Sequence, residues 1–139
     1  MALTYHLFIS HSWKYGDAYN KLNKLLTGRS YFNYINHSVP STNPIVGANT
    51  DRELSIKISN KVRGCHSVLM MAGVYSTYSQ WINKEIEIAQ SWNKPIIGIA
   101  PWGQERLSSV VQNSSVYIAR WNTDSIVQAI RTYSIRPSS

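Results

Sequence analysis

The sequence predicts an α/β protein with a flavodoxin-like, doubly wound sheet of about five parallel strands and helices on both faces. Strand-like runs alternate along the chain with segments of helical periodicity, which is typical of parallel strands joined by right-handed crossovers. The runs at 66–73 and 95–100 are nearly continuous apolar stretches, as in strands that are covered on both faces. A length of 139 residues suits one domain, so a single domain over 1–139 is expected.

The strands are predicted from runs rich in β-branched and aromatic residues, or from apolar runs bounded by glycine and proline. YHLFI opens the series, and YFNYINHSV alternates in the manner of a second strand. HSVLMMAG and KPIIGIAPWG are the buried central runs, and SSVYIARW closes the series. The predicted strands span residues 5–9, 31–39, 66–73, 94–103 and 114–121.

The helices are predicted from apolar side chains at helical spacing and from capping residues. In the first helix Asp17 can cap the amino end, and Gly28 can stop the carboxyl end. The second carries Leu54, Ile58 and Val62 at intervals of four residues, although its isoleucines also allow a strand. The predicted helices span residues 17–28, 50–65, 78–92, 104–112 and 123–133. A loop rich in Pro, Gly, Ser and Asn is predicted at 40–49, and 134–139 is expected to form a frayed tail.

Composition excludes several classes of protein. No apolar run approaches the ~18 residues of a membrane span, and MALTYHLFIS lacks the basic region and cleavage site of a signal peptide. We therefore expect a cytoplasmic protein. The net charge of +7 comes from scattered basic residues, without a basic run or a nucleic-acid motif, which disfavours nucleic-acid binding. Some of this charge can serve a phosphate-bearing small molecule.

One glutamate of the predicted helix WINKEIEIAQSW lies in the apolar stripe of that helix. With about 100° of rotation per residue and Trp81 at zero, Glu85 falls at about 40° and Glu87 at about 240°. The arc around Glu85 is otherwise formed by Ile82, Ile86, Ile88, Ala89 and Trp92. A carboxylate there loses hydration and needs polar partners or a bound proton. Glu85 is therefore a candidate functional residue; the alternative is a structural glutamate paired with backbone amides or a lysine.

Polar side chains also follow the first predicted strand, where doubly wound sheets bind their ligands. Ser10, His11 and Trp13 offer a hydroxyl, an imidazole and an indole, which can bind ribose hydroxyls and stack on a base or a nicotinamide ring. An ordinary polar turn before a helix explains the same residues equally well. The chain contains neither the Rossmann nor the P-loop glycine pattern, so a nucleotide site of either kind is disfavoured.

Metal and thiol chemistry are both disfavoured. The four histidines never occur at the spacing of metal ligands, so no metal site is expected. Cys65 is the single cysteine, which excludes an intrachain disulfide and a thiol metal cluster. Although Cys65 lies beside His66, we interpret this lone cysteine as a packed core thiol and not as a catalytic one.

Three stretches together resemble the TIR superfamily over nearly the whole chain: HLFISHSWKYGD, MAGVYSTYSQWINKEIEIA and KPIIGIAPWG. The W-x-x-x-E pattern from Trp81 to Glu85, preceded by Ser79, looks like the helix motif of NAD-cleaving TIR domains. The form of the three stretches is similar to the TIR-like family that includes the Thoeris antiphage protein ThsB. The loop SVPSTNPIVGAN does not resemble the BB loop of TIR adaptors, so adaptor-type assembly is not expected.

The resemblance implies an enzyme that cleaves NAD⁺ between nicotinamide and ribose and forms a cyclised ADP-ribose product. NAD⁺ is then a substrate, and no cofactor is expected. The product would activate a separately encoded effector of the ThsA type, and a phage-derived trigger and a homo-oligomer are compatible with this interpretation. Glu85 matches the catalytic glutamate of the family. Six residues are expected to line NAD⁺ around it: Ser10, His11, Trp13, Tyr75, Ser79 and Trp81.

Two other functions are consistent with the sequence. The first is a non-catalytic TIR-like module for protein interaction or nucleotide binding, in which Glu85 is structural. The second is a receiver-type domain, which needs clustered acidic residues after the first strand and a phosphorylatable aspartate after the third. The SHSW and MAGVY segments at those positions disfavour a receiver.

Overall fold

A computed structural model of the chain describes residues 4–10, 18–30, 32–37, 51–72, 82–100 and 107–135. Strands and helices alternate along these residues. The strands are β1 (Thr4–Ile9), β2 (Asn33–Asn36), β3 (Ser67–Met71), β4 (Ile96–Ile99) and β5 (Tyr117–Ala119). The helices are α1 (Ala18–Thr27), α2 (Asp51–Arg63), α3 (Ile82–Ser91), α4 (Ser109–Ser114) and α5 (Thr123–Tyr133). No helix within the described ranges has the length and apolar character needed to cross a membrane.

The five strands form one sheet in the order β2-β1-β3-β4-β5, and every neighbouring pair is parallel. This is the flavodoxin-like strand order, so the predicted fold class is confirmed. From β1 the chain first adds β2 on one side of the sheet. It then crosses to the other side of β1 and adds β3, β4 and β5 in succession. The boundary between β1 and β3 is the topological switch point, where such sheets bind their ligands.

Two apolar layers cover the sheet. Alternate strand residues such as Leu7 and Leu69 enter the layer that contains α1 and α5. Phe8 and Val68 point to the opposite layer, which contains α2 and α3. All five residues of β3 are buried, as predicted for a central strand. Because α3 packs in the second layer through Ile82 and its other buried residues, its position relative to β1 and β3 is set by the core.

The end of α3 differs from the sequence-based expectation. The helix ends at Ser91, and Trp92 is 39% exposed, so the prediction that Trp92 belongs to the apolar stripe around Glu85 is wrong. Asn93 takes a left-handed conformation with φ of 56°, and the Lys94 N–H donates to the Ala89 carbonyl at 2.9 Å. This arrangement is a helix C-cap. Trp92 is the last residue before this turn, and its indole Nε1–H donates to Ser59 Oγ at 2.8 Å, at the surface and outside the apolar stripe.

Other helix boundaries and the carboxyl-terminal tail also differ from those predicted from the sequence. The short helix predicted at 104–112 is α4 at 109–114, because the Ser108 hydroxyl accepts a hydrogen bond from the Val111 N–H and caps the helix there. The second helix, for which a strand was an alternative, is helical throughout 51–63. Of the predicted tail, Ser134 and Ile135 bond to Ser67 and His66. Residues 136–139 and the predicted loop at 40–49 lie outside the described residues.

Gly98 of β4 permits a close approach of the segments that pack on this strand. A Cβ at position 98 would collide with the end of the Ile118 side chain and lie 3.0 Å from Ser115 Oγ. We expect Gly98→Ala to lower the free energy of unfolding by about 1 kcal/mol, measured by urea denaturation, at the low end of overpacking costs because both atoms are the ends of side chains that can shift. Gly64→Ala is the control, because its Cβ would meet only the Lys61 carbonyl at 3.9 Å. Equal losses in the two variants would contradict this account.

Candidate active site

Glu85 is a buried carboxylate on the first turn of α3. Its side chain is 1% exposed, whereas Glu87 is exposed on the other side of the same helix. Ile82, Ile86 and Ala89 are buried on the same face as Glu85. The predicted contrast between the two glutamates, one within the apolar stripe and one outside it, is confirmed.

Ser10 is the hydrogen-bond partner that brings Glu85 to the edge of the sheet. It directly follows β1 and is 2% exposed. Its backbone N–H donates to the Leu69 carbonyl at 3.0 Å, which continues the pairing of β1 with β3. Its hydroxyl donates to Glu85 Oε1 at 2.7 Å. The carboxylate therefore lies at the carboxyl end of β1, at the switch point of the sheet.

Ser108 is a buried polar residue at the same edge that the sequence did not reveal. Its N–H donates to the carbonyl of Ala72, the residue that follows β3, at 2.7 Å. Its hydroxyl caps α4. Through these two bonds Ser108 holds the start of α4 against the end of β3. The signal was present as two serines before a pair of valines, which is a typical N-cap pattern. Because the helix was predicted at 104–112, these serines were assigned to its interior and not to its amino end.

The structure brings two of the predicted site residues together, Ser10 and Glu85. The other five lie outside the described residues: His11, Trp13, Tyr75, Ser79 and Trp81. Their contacts with NAD⁺ stay predictions. The described part of the site is therefore a buried serine–carboxylate pair where β1 and β3 end.

Cys65 is a core thiol. It is fully buried, and its Sγ donates to the Lys61 carbonyl at 3.2 Å. Burial raises the pKa of Cys65 to about 11, against a smaller opposing effect of Lys94 and Lys61. Since a thiolate is the reactive form of cysteine, this geometry agrees with the predicted packed thiol.

The reactivity of Cys65 provides a direct test. In the native protein at mildly alkaline pH, a chromogenic disulfide reagent should react with Cys65 at least about a hundredfold more slowly than with glutathione, because the thiolate fraction is that much smaller. In urea the same reagent should titrate one thiol per chain at the ordinary rate. Rapid reaction of the native protein would contradict the buried position.

Three histidines meet near the start of β3, at the opposite end of this strand from Ser10 and Glu85. The His6 N–H donates to His66 Nδ1 at 2.8 Å, and His6 Nδ1 lies 2.8 Å from His37 Nε2. These ring nitrogens bond to protein groups. Among the described residues no group of three or more His, Cys, Asp or Glu side chains is arranged to hold a metal ion.

Comparison with known proteins assigns the chain to a family. No match was found among curated proteins. A solved structure with a similar fold is that of the CMP N-glycosidase BcmB of Clostridium botulinum, which is 12% identical with a TM-score of 0.54 over 92% of this chain and 99% of the other. The model of the family described as "Thoeris protein ThsB, TIR-like domain" matches residues 8–106, more than half of the sequence. The chain therefore belongs to the TIR-like domain family of the Thoeris protein ThsB.

Proposed function

We propose that this protein is an NAD⁺-cleaving enzyme of antiphage defence that releases nicotinamide and makes a cyclic ADP-ribose-type signal. That signal activates a separately encoded, ThsA-like effector. The observation that carries the proposal is the Glu85 carboxylate, buried at the switch point and bonded to Ser10. The family assignment, and the fold shared with an enzyme that cleaves an N-glycosidic bond of CMP, both support a nucleotide-processing role.

The chemistry needs a negative charge beside the anomeric carbon of ribose. When the C–N bond of NAD⁺ breaks, both bonding electrons go to the pyridinium nitrogen, and nicotinamide leaves as a neutral molecule. The positive charge moves to the ribose, whose transition state resembles an oxocarbenium ion. A fixed carboxylate stabilises that charge. Burial strengthens the interaction, because the attraction between charges increases as the effective dielectric constant falls.

Cyclisation depends on which nucleophile reaches the ribose. Attack by water yields ADP-ribose, whereas attack by an atom of the same ADP-ribose closes a ring. A site that excludes water favours the second outcome. The burial of both Ser10 and Glu85 supports such a site at the carboxyl end of β1.

The proposal is tested by product analysis. The purified protein is incubated with NAD⁺, alone and with lysate of phage-infected cells, and the products are separated by chromatography with mass detection. We expect nicotinamide in equal amount to a cyclic ADP-ribose isomer, whose ring linkage NMR then assigns. In ¹⁸O-labelled water the cyclic product should carry no label, while any ADP-ribose formed by hydrolysis should carry it.

Absence of nicotinamide under all of these conditions would refute the enzymatic function. It would favour the non-catalytic TIR-like module, in which Glu85 and Ser10 form a structural pair. Binding of NAD⁺ without cleavage, measured by calorimetry, would then separate a nucleotide-binding module from a protein-interaction module.

A further inference from the structure

The hydroxyl of Ser10 donates its hydrogen bond to Glu85. A serine hydroxyl carries one proton, and here that proton goes to Glu85 Oε1 over 2.7 Å. This distance is typical of an O–H···O hydrogen bond. Both side chains are buried, so bulk water does not compete for the bond. While the bond holds, Ser10 has no proton to donate to a ribose hydroxyl, and its buried oxygen could only accept one.

Both partners of this bond stand on rigid elements. Ser10 continues β1, which pairs with β2 on one side and with β3 on the other. Glu85 stands on α3, whose apolar face is packed in the core. Fixing a flexible glutamate side chain costs up to about 2 kcal/mol of conformational entropy. The fold provides this ordering before any ligand binds.

We propose that Ser10 is a positioning residue that holds the Glu85 carboxylate through Oε1 and acts on the reaction through Glu85. This role replaces the one that its place after the first strand predicts, in which Ser10 binds ribose. The consequence for catalysis rests on the proposed function, whereas the pairing of Ser10 with Glu85 does not. The two parts are therefore tested separately.

The kinetic test is Ser10→Ala, assayed for nicotinamide release over a range of NAD⁺ concentrations. A positioning residue should lower kcat by about 10- to 100-fold while KM stays within about threefold of the wild-type value, because ground-state binding is not its role. Ser10→Thr, which keeps the hydroxyl, should recover most of kcat. Thermal unfolding of each variant shows whether it is folded. A raised KM with unchanged kcat would show that Ser10 binds substrate and would overturn the proposal.

A stability cycle tests the pairing without any activity. Urea unfolding midpoints are measured for Ser10→Ala, Glu85→Ala and the double variant. If the side chains are paired, the loss in the double variant is smaller than the sum of the two single losses. The matched control combines Ser10→Ala with Glu87→Ala. Glu87 is exposed on the same helix, so these losses should add.

The two experiments distinguish failure of the inference from failure of the proposed function. If the wild type cleaves NAD⁺ but Ser10→Ala changes only KM, or if the Ser10–Glu85 cycle is additive, the positioning role is wrong and the enzymatic function stands. If the wild type releases no nicotinamide, the function is wrong, and the positioning role falls with it. A non-additive cycle would then assign the pair to the stability of the fold.

Discussion

Glu85→Gln is expected to lower the rate of nicotinamide release from NAD⁺ by at least about a hundredfold. Glutamine has nearly the shape of glutamate, and its amide oxygen can still accept the hydrogen bond from Ser10. It lacks the negative charge that, in the proposed mechanism, stabilises the oxocarbenium-like transition state. The loss should therefore appear in kcat, measured as the initial rate of nicotinamide release at saturating NAD⁺.

Glu87→Gln is the matched control for this experiment. It removes the same charge from the same helix two residues further on, but from an exposed side chain. We expect its activity to stay within about twofold of the wild-type rate, as for an ordinary surface substitution. Wild-type activity in Glu85→Gln, or equal losses in the two variants, would contradict a catalytic role for Glu85.

Mild acid is expected to destabilise the fold through the cluster of His6, His37 and His66. Burial and the charge of His6, with a smaller effect of Lys61, lower the pKa of His37 below its ordinary value of 6.5. Burial, His6, Lys94 and His37 lower the pKa of His66 in the same way. Below pH 6.5 the unfolded chain therefore takes up more protons than the folded one. The stabilisation is complete above that pH and is lost as the pH falls.

The hydrogen bonds of the cluster lead to the same sign. His66 Nδ1 accepts the His6 N–H, so it cannot carry a proton while that bond exists. Protonation of His66 at Nδ1 therefore breaks this hydrogen bond, which is worth about 0.5–1.5 kcal/mol net, and we expect a loss of stability of about that size.

The acid effect is measured as the urea unfolding midpoint between about pH 7.5 and about pH 5.5, a range in which ordinary carboxylates stay ionised. His66→Asn is the control, because its amide oxygen can accept the His6 N–H but does not titrate. This variant should show a smaller fall in midpoint than the wild type. A wild-type midpoint that does not change over this range, or the same fall in both proteins, would refute the role of the cluster.

The sequence predicted those features that depend on local periodicity. The position of Glu85 in the apolar face of α3 follows from helical geometry over a few residues, and Glu87 fell outside the stripe for the same reason. The parallel sheet followed from the alternation of strand-like and helical segments. In both cases the signal lies within a short window, and the core then reinforces it.

Features made by distant segments could not be predicted in this way. The partner of Glu85 lies 75 residues away, and only the pairing of β1 with β3 brings Ser10 to it. The histidine cluster likewise depends on strand register, so the spacing of the histidines along the chain did not indicate it. Trp92 was wrongly placed in the apolar stripe because it caps the end of α3, and the residue that follows it, Asn93, takes a left-handed conformation without the glycine that usually marks such an end.

The separation of Ser10 from Glu85 along the chain also has a consequence for synthesis. A nascent chain that has not yet reached α3 carries the serine without the carboxylate. Contacts between residues so far apart form only after the intervening chain has closed a long loop, so the pair is assembled late. On the proposed function, a chain terminated before Glu85 lacks the carboxylate and cannot consume the NAD⁺ of the cell that produces it. On that function, activity also requires a chain in which β1 has paired with β3.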